Sequence, residues 1–279
     1  MTEPLPFRAL RARLSRLLAP RLADRLLKAV LADGLASYLA DPKALIPAAT
    51  ARRILGAAHA VAAGQPLPLA LGEAWFWERR LSVNDDVLLP RPDSEVLVEA
   101  AARLLPPAGA FAEIGVGSGA LSLGLLDARG DCRGYGTEIA AKAFRVAREN
   151  LEEAICGGRY TLFLGDGTRP LAQRGIAVDL VLANPPYVGL RERLDPSLAY
   201  EPRRALLGGV EGCALPKIFA LEAEKVLGPQ GILVMECAPR EAPYLLAFLR
   251  RRGGEVEELS DLGGRTRGVV WRLKRLSER

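Results

Sequence analysis

Histidine is almost missing from this 279-residue chain, which has a single one at position 59. Cysteine is scarce too: the four, at 132, 156, 213 and 237, show none of the paired spacing of a metal knuckle. These shortages argue against a zinc site and against a disulfide framework, so no metal and a reducing cytoplasm are expected. Long apolar runs are absent as well. No window of about 18 apolar residues is free of a charge or a breaker, which predicts no membrane-spanning helix. The N-terminal stretch MTEPLPFRALRARLSRLL has arginines scattered through its apolar residues, unlike the unbroken core of a signal peptide. Neither repeats nor low-complexity segments occur.

What is present points to a folded chain. Hydrophobic residues make up 49%, enough for a sizeable core. The net charge of +5 permits association with nucleic acid without requiring it. In the first sixty-odd residues Leu10, Leu14, Leu17 and Leu18 share one helical face, and Leu22, Leu26, Val30 and Leu31 another. Asp41-Pro42 reads as an N-cap followed by proline at the first helical position. His59 falls in the last of these helices with a packing or surface role. The stretch AWFWERRLSVNDDVLLPRP reads as two extended segments around a turn at Asn84-Asp85, with Trp75, Phe76 and Trp77 as an apolar staple. From Asp93 strands and helices alternate, which predicts βαβ units and a mainly parallel sheet, closed by EVEELSDL and RGVVWRLKR as an antiparallel pair. The expected organisation is a helical domain at 1–66, a hairpin linker at 67–92 and an α/β domain at 93–279.

Chemistry gathers at strand ends. Glu113-Ile-Gly115-Val116-Gly117-Ser118-Gly119 follows the first α/β strand, where glycines let backbone approach a ligand and open a helix whose N-terminus is partly positive. By itself this loop fits a dinucleotide fingerprint equally well. Glu138 ends the next strand, 23 residues beyond Gly115, placed either to accept ribose hydroxyls or to cap the helix that follows. Asp166-Gly167 closes the third strand, with the acid suited to an adenine amino group. Three such strand ends on one sheet edge make a cleft for an adenosine-containing cofactor.

Asn184-Pro185-Pro186-Tyr187 ends the fourth strand beside the same crevice. An amide or aromatic amine nitrogen is a poor nucleophile because its lone pair is delocalised. A site that methylates it must hold both hydrogens and aim the lone pair at the donor. The Asn184 side-chain oxygen and the Pro185 carbonyl can be the two acceptors, stiffened by the prolines, while Tyr187 offers a flat wall. The combination points to methyl transfer rather than to NAD chemistry or to a docking protein without chemistry.

These motifs resemble the HemK-type protein-(glutamine N5) methyltransferases that modify peptide-chain release factors. The likeness spans essentially the whole chain. It is carried by VLLPRPDSEVLVE, EIGVGSGALSL, LANPPY, YEPRRALLGGVEG and DLGGRTRGVVW. The resemblance implies a seven-stranded, Rossmann-like S-adenosylmethionine (SAM) domain behind a helical bundle that helps dock the release factor. It implies that Gly115 to Gly119 and Glu138 hold SAM and that Asn184, Pro185 and Tyr187 hold the glutamine amide of the Gly-Gly-Gln loop. Asp93 is expected to cap the helix that its segment opens. Three departures stand out: Glu113 replaces the more common aspartate, Gly167 the usual aromatic residue, and ECAPRE (Glu236 to Glu241) the usual glycine and glutamine. Methylation of a ribosomal-protein glutamine remains an alternative. So does methylation of adenine in nucleic acid, although that would need base flipping and a recognition domain not visible here.

Overall fold

The computed structural model describes residues 3–274. The chain divides into a first unit running to Glu73 that also takes in Asp195–Tyr200, and a second comprising Ala74–Leu194 and the chain from Glu201 onward.

The first unit is helical: α1 (Phe7–Leu17), α2 (Pro20–Leu31), α3 (Leu35–Ala40), α4 (Ala48–Ala62) and α5 (Leu67–Leu71). Its core takes one residue from each turn of the amphipathic faces, with Phe7, Leu10, Leu14, Leu26 and Ile54 almost fully buried. Phe7 stacks on Tyr38 at 5.7 Å between ring centroids. The Asp41-Pro42 reading is corrected. Asp41 closes a turn, its Oδ1 accepting from Lys43 N at 3.0 Å, and the next helix waits until Ala48. The intervening Leu45–Ile46 pairs antiparallel with Leu5–Pro6, so a tertiary pairing takes the residues a helix would have used. His59 lies exposed on α4.

At the start of the second unit the chain forms a hairpin, Glu73–Phe76 against Arg79–Ser82, of which Glu73 is the last residue of the first unit. Its turn is Trp77-Glu78, not the expected Asn84-Asp85. Both turn residues have positive φ, 49° and 61°, as the twist-matched two-residue turn demands. This conformation is strained for residues with a Cβ. It is held by burial of Trp77 against Gly124 and by donation from Trp77 N to Glu95 Oε1 at 3.1 Å. Phe76 and Trp77 thus belong to this unit's core, whereas Trp75 is exposed. Asn84 instead makes a local turn, its Oδ1 accepting from Asp86 N.

Seven strands form the central sheet: β1 (Ala110–Ile114), β2 (Arg133–Glu138), β3 (Tyr160–Leu164), β4 (Val178–Ala183), β5 (Leu227–Glu236), β6 (Glu255–Ser260) and β7 (Thr266–Arg272). Their spatial order is β6-β7-β5-β4-β1-β2-β3. The first five run parallel, and β7 pairs antiparallel with both β5 and β6. The central β1 and β4, AFAEI and VDLVLA, read as nearly continuous apolar runs because helices cover both faces there. Between β1 and β4 the winding reverses: β2 and β3 add on one side of β1, β4 and β5 on the other. Such a switch point opens a crevice beyond the carboxyl ends of the strands.

Candidate active site

Strand register determines which residues meet in that crevice. Ile114 of β1 pairs with Thr137 of β2 and with Ala183 of β4. One step further on, Gly115, Glu138 and Asn184 therefore emerge side by side, although up to 69 residues separate them along the chain. The crevice is a cleft lined by residues from all three strand ends, Gly115, Glu138 and Asn184 among them.

The glycine loop forms one wall. Gly115, Gly117 and Gly119 all have positive φ, 74°, 58° and 86°, where a side chain would be strained. Thr137 O accepts from both Gly115 N and Val116 N, pinning the loop to β2. A Cβ on Gly117 would meet nothing within 4 Å, so its backbone faces open space. Gly119 instead serves as the N-cap of α7 (Ala120–Ala128), packed against Leu151. Glu138 is buried, and its two oxygens accept from Gly117 N at 2.9 Å and Ala140 N at 2.8 Å. The carboxylate braces the loop and lines the cleft, with lone pairs left for ligand hydroxyls. The cap reading is corrected, because the helix Ala141–Asn150 carries no side-chain cap and Glu138 holds only the amide of Ala140 before it. The loop and the acid fit an adenosine-type group.

Glu113 lies just beneath, 2% exposed, its Oε2 accepting from both the backbone N and the hydroxyl of Ser122. Burial pushes its carboxyl up to about 8 against the lowering effect of those two hydrogen bonds, with the charge of Glu138 adding to the rise. Because its folded pKa lies above the ordinary 4.5, the stability it confers is full below about pH 4.5 and is lost as pH rises through about 8. Unfolding free energy should therefore fall across that window with a limiting slope of about 1.4 kcal/mol per pH unit, melting temperature falling with it, and Glu113→Gln should flatten the fall. Parallel melting curves for the two proteins would remove this assignment.

The fourth strand end supplies the other wall. Asn184 and Pro186 line the cleft, Pro185 is buried between them, and Tyr187 is half-buried behind. The Asn184 side chain has no hydrogen-bond partner among the described residues, nor is any donor to the Pro185 carbonyl found there. The loop's shape comes from the segment that follows it. Val188 N donates to Leu206 O and Leu190 N to Gly209 O, forming a short parallel ladder. Gly208 packs so tightly that a Cβ there would lie 2.4 Å from Pro186 O and 2.8 Å from Tyr187 Cα.

Asp166 and Gly167 lie outside the cleft's lining. Asp166 is exposed beyond β3. The space a side chain at 167 would occupy holds the Glu222 carboxylate, whose Oε2 would be 2.7 Å from the Cβ and which accepts from Thr168. This accounts sterically for glycine at that position. The cap expected of Asp93 is also corrected: its carboxylate pairs with Arg267 at 2.5 Å, while Ser94 precedes α6 (Glu95–Leu104).

Several site residues were not legible as such. Glu201 is buried with its Oε2 accepting from Leu89 N at 2.9 Å and its Oε1 from Arg91 at 2.5 Å, joining EPRRAL to the PRPDSE segment. Leu89, Arg91 and Arg204 line the cleft, as does Phe219. Leu89, Arg91, Glu201 and Arg204 all fall in quoted motifs, which is the signal that existed for them; Phe219 had none.

A family model described as Methyltransferase small domain matches residues 92–197. A release factor glutamine methyltransferase of Cereibacter sphaeroides is 35% identical over 278 residues, covering 95% of this chain and 97% of that protein. One of Caulobacter vibrioides is 35% identical over 212 residues, 74% of this chain and 73% of that protein. Among solved structures, a methyltransferase from Pyrococcus furiosus aligns with a TM-score of 0.51 at 16% identity, over 70% of this chain and 89% of that one, which is a likeness of fold. No helix among the described residues is long and apolar enough to cross a membrane.

Proposed function

The chain belongs to the release factor glutamine methyltransferase family, and from that premise we propose that it transfers a methyl group from SAM to the side-chain amide nitrogen of the glutamine in the Gly-Gly-Gln loop of a peptide-chain release factor. The observation that carries the reading is the uncommitted Asn184 side chain, set by strand register directly beside the glycine loop. Bound SAM supplies a methyl carbon on a sulfonium, whose carbon–sulfur electron pair returns to sulfur on transfer. The Gly115–Gly119 backbone and Glu138 would hold that cofactor. Asn184 Oδ1 and the Pro185 carbonyl accept the two amide hydrogens, turning the nitrogen lone pair out of conjugation and towards the cleft. Once the new nitrogen–carbon bond forms, the alkylated amide nitrogen is strongly acidic and gives up one proton to solvent water. The work is orientation, because a delocalised nitrogen gains most from being held in one attacking geometry. Tyr187 stands as the wall of the amide slot, and the helical unit as the part that docks the release factor.

The test uses purified protein and labelled SAM, with a release factor, ribosomal protein and adenine-containing nucleic acid offered side by side. Label is expected on the release factor glutamine alone. Label on ribosomal protein or nucleic acid in its place would overturn the substrate assignment.

A further inference from the structure

One buried carboxylate ties the two sides of the amide slot together. Glu236 ends β5, and because Met235 pairs with Ala183 of β4, Glu236 emerges next to Asn184. It is 6% exposed. Its Oε1 accepts from the Tyr187 hydroxyl at 3.1 Å and its Oε2 from the Ser94 hydroxyl at 2.5 Å. Ser94 lines the cleft, whereas Glu236 itself does not. Glu236 accepts from a hydroxyl on each oxygen and does not face the cleft, so the carboxylate acts through its neighbours. Burial pushes its carboxyl above the usual range, and the two hydroxyls oppose that.

We propose that Glu236 is a positioning residue for methyl transfer, holding the Tyr187 ring, and through it the Asn184-Pro185 acceptors, in register with the segment around Ser94. The inference rests on the glutamine-methylation reading of the site. Its physical basis is that a buried, fully partnered polar network holds its members in one arrangement, here the Tyr187 hydroxyl at 3.1 Å from Glu236. The Tyr187 ring turns about two torsions. Packing alone would leave the ring free to librate, and a flat wall orients a planar amide only if the wall is still. Gly212, whose Cβ would lie 2.2 Å from Tyr187 O, closes on the same residue from the backbone side. Tyr187 is thus gripped at its hydroxyl by Glu236 and at its carbonyl by a glycine no other residue could replace.

The experiment compares wild type, Tyr187→Phe, Glu236→Ala, Glu236→Gln and the Tyr187→Phe/Glu236→Ala pair. It measures kcat and KM for a release factor, together with SAM affinity by calorimetry. Tyr187→Phe removes only the hydroxyl and should lower kcat about tenfold while leaving KM and SAM affinity within about twofold. Glu236→Ala should lose at least as much, and the pair no more than Glu236→Ala alone. Glu236→Gln should recover most of the rate, since its amide oxygen can accept from Tyr187 while its NH2 donates to Ser94 Oγ. A Tyr187→Phe protein with wild-type kcat overturns the proposal. So does a Glu236→Gln protein as slow as Glu236→Ala, or a pair whose losses multiply. Should Glu236→Ala fail to fold, the Tyr187→Phe and Glu236→Gln arms still decide. A wild-type protein inert towards every release factor overturns the functional reading and this inference with it. An active wild type matched by Tyr187→Phe overturns the inference alone.

Discussion

Asn184→Ala is expected to lower the single-turnover rate of methyl transfer on the order of 10²–10³-fold while leaving SAM affinity within about threefold. The separation follows from where Asn184 stands. Its side chain borders the cleft but makes no hydrogen bond among the described residues, so removing it breaks no internal link. The glycine loop and Glu138, to which we assign the cofactor role, are braced by Thr137 O and by the Gly117 and Ala140 amides instead. What disappears is one of the two acceptors proposed for the amide hydrogens. With a single acceptor left, the amide can rotate about the surviving hydrogen bond and the nitrogen lone pair loses its aim. Quenched-flow transfer of labelled methyl measures the rate, and calorimetry the affinity. Equal losses in both would remove the role given to Asn184 and assign it to cofactor binding.

Gly208→Ala should be nearly as damaging although residue 208 touches neither cofactor nor amide in this reading. A Cβ there would lie 2.4 Å from Pro186 O, 2.5 Å from Gly212 O and 2.8 Å from Tyr187 Cα, all backbone atoms that have no rotamer to yield. The loop bearing Asn184 and Pro185 must move instead. A displacement near 1 Å in a positioning loop costs on the order of 10²-fold in rate, and overpacking of this kind costs about 1–3 kcal/mol in stability. Gly130→Ala is the control, because its Cβ would meet nothing within 4 Å. Circular dichroism melts and turnover, measured on both variants, check the expectation. Turnover of Gly208→Ala within a few fold of wild type would show that the segment after the loop does not set its geometry.

These expectations rest on features of unequal legibility. Alternating strand and helix patterns pointed to the parallel sheet, because the apolar runs of β1 and β4 and the amphipathic helices between them are local properties. The same held for Gly115, Gly117 and Gly119, read from their clustering after a strand as a loop of close backbone approach, and each has positive φ. The hairpin turn escaped notice because Trp77 and Glu78 advertise no such backbone. Their conformation is imposed by packing against Gly124 and by the bond to Glu95, 18 residues away. Asp93 was read as a cap for the mirror-image reason: its type and place suited one, but Arg267, 174 residues on, offered a charge partner.

The amino-acid order alone settled the architecture and the chemical vocabulary of this protein: a helical unit, a mainly parallel sheet, a glycine loop, an acid after β2 and Asn-Pro-Pro-Tyr after β4. Those features live in short stretches, and short stretches carry their own backbone preferences. Only the tertiary structure decided which of them meet. Register between β1, β2 and β4 set Gly115, Glu138 and Asn184 side by side, and register between β4 and β5 brought Glu236 to Tyr187. Pairing between strands depends on how whole faces bury against each other, and no local pattern records its outcome.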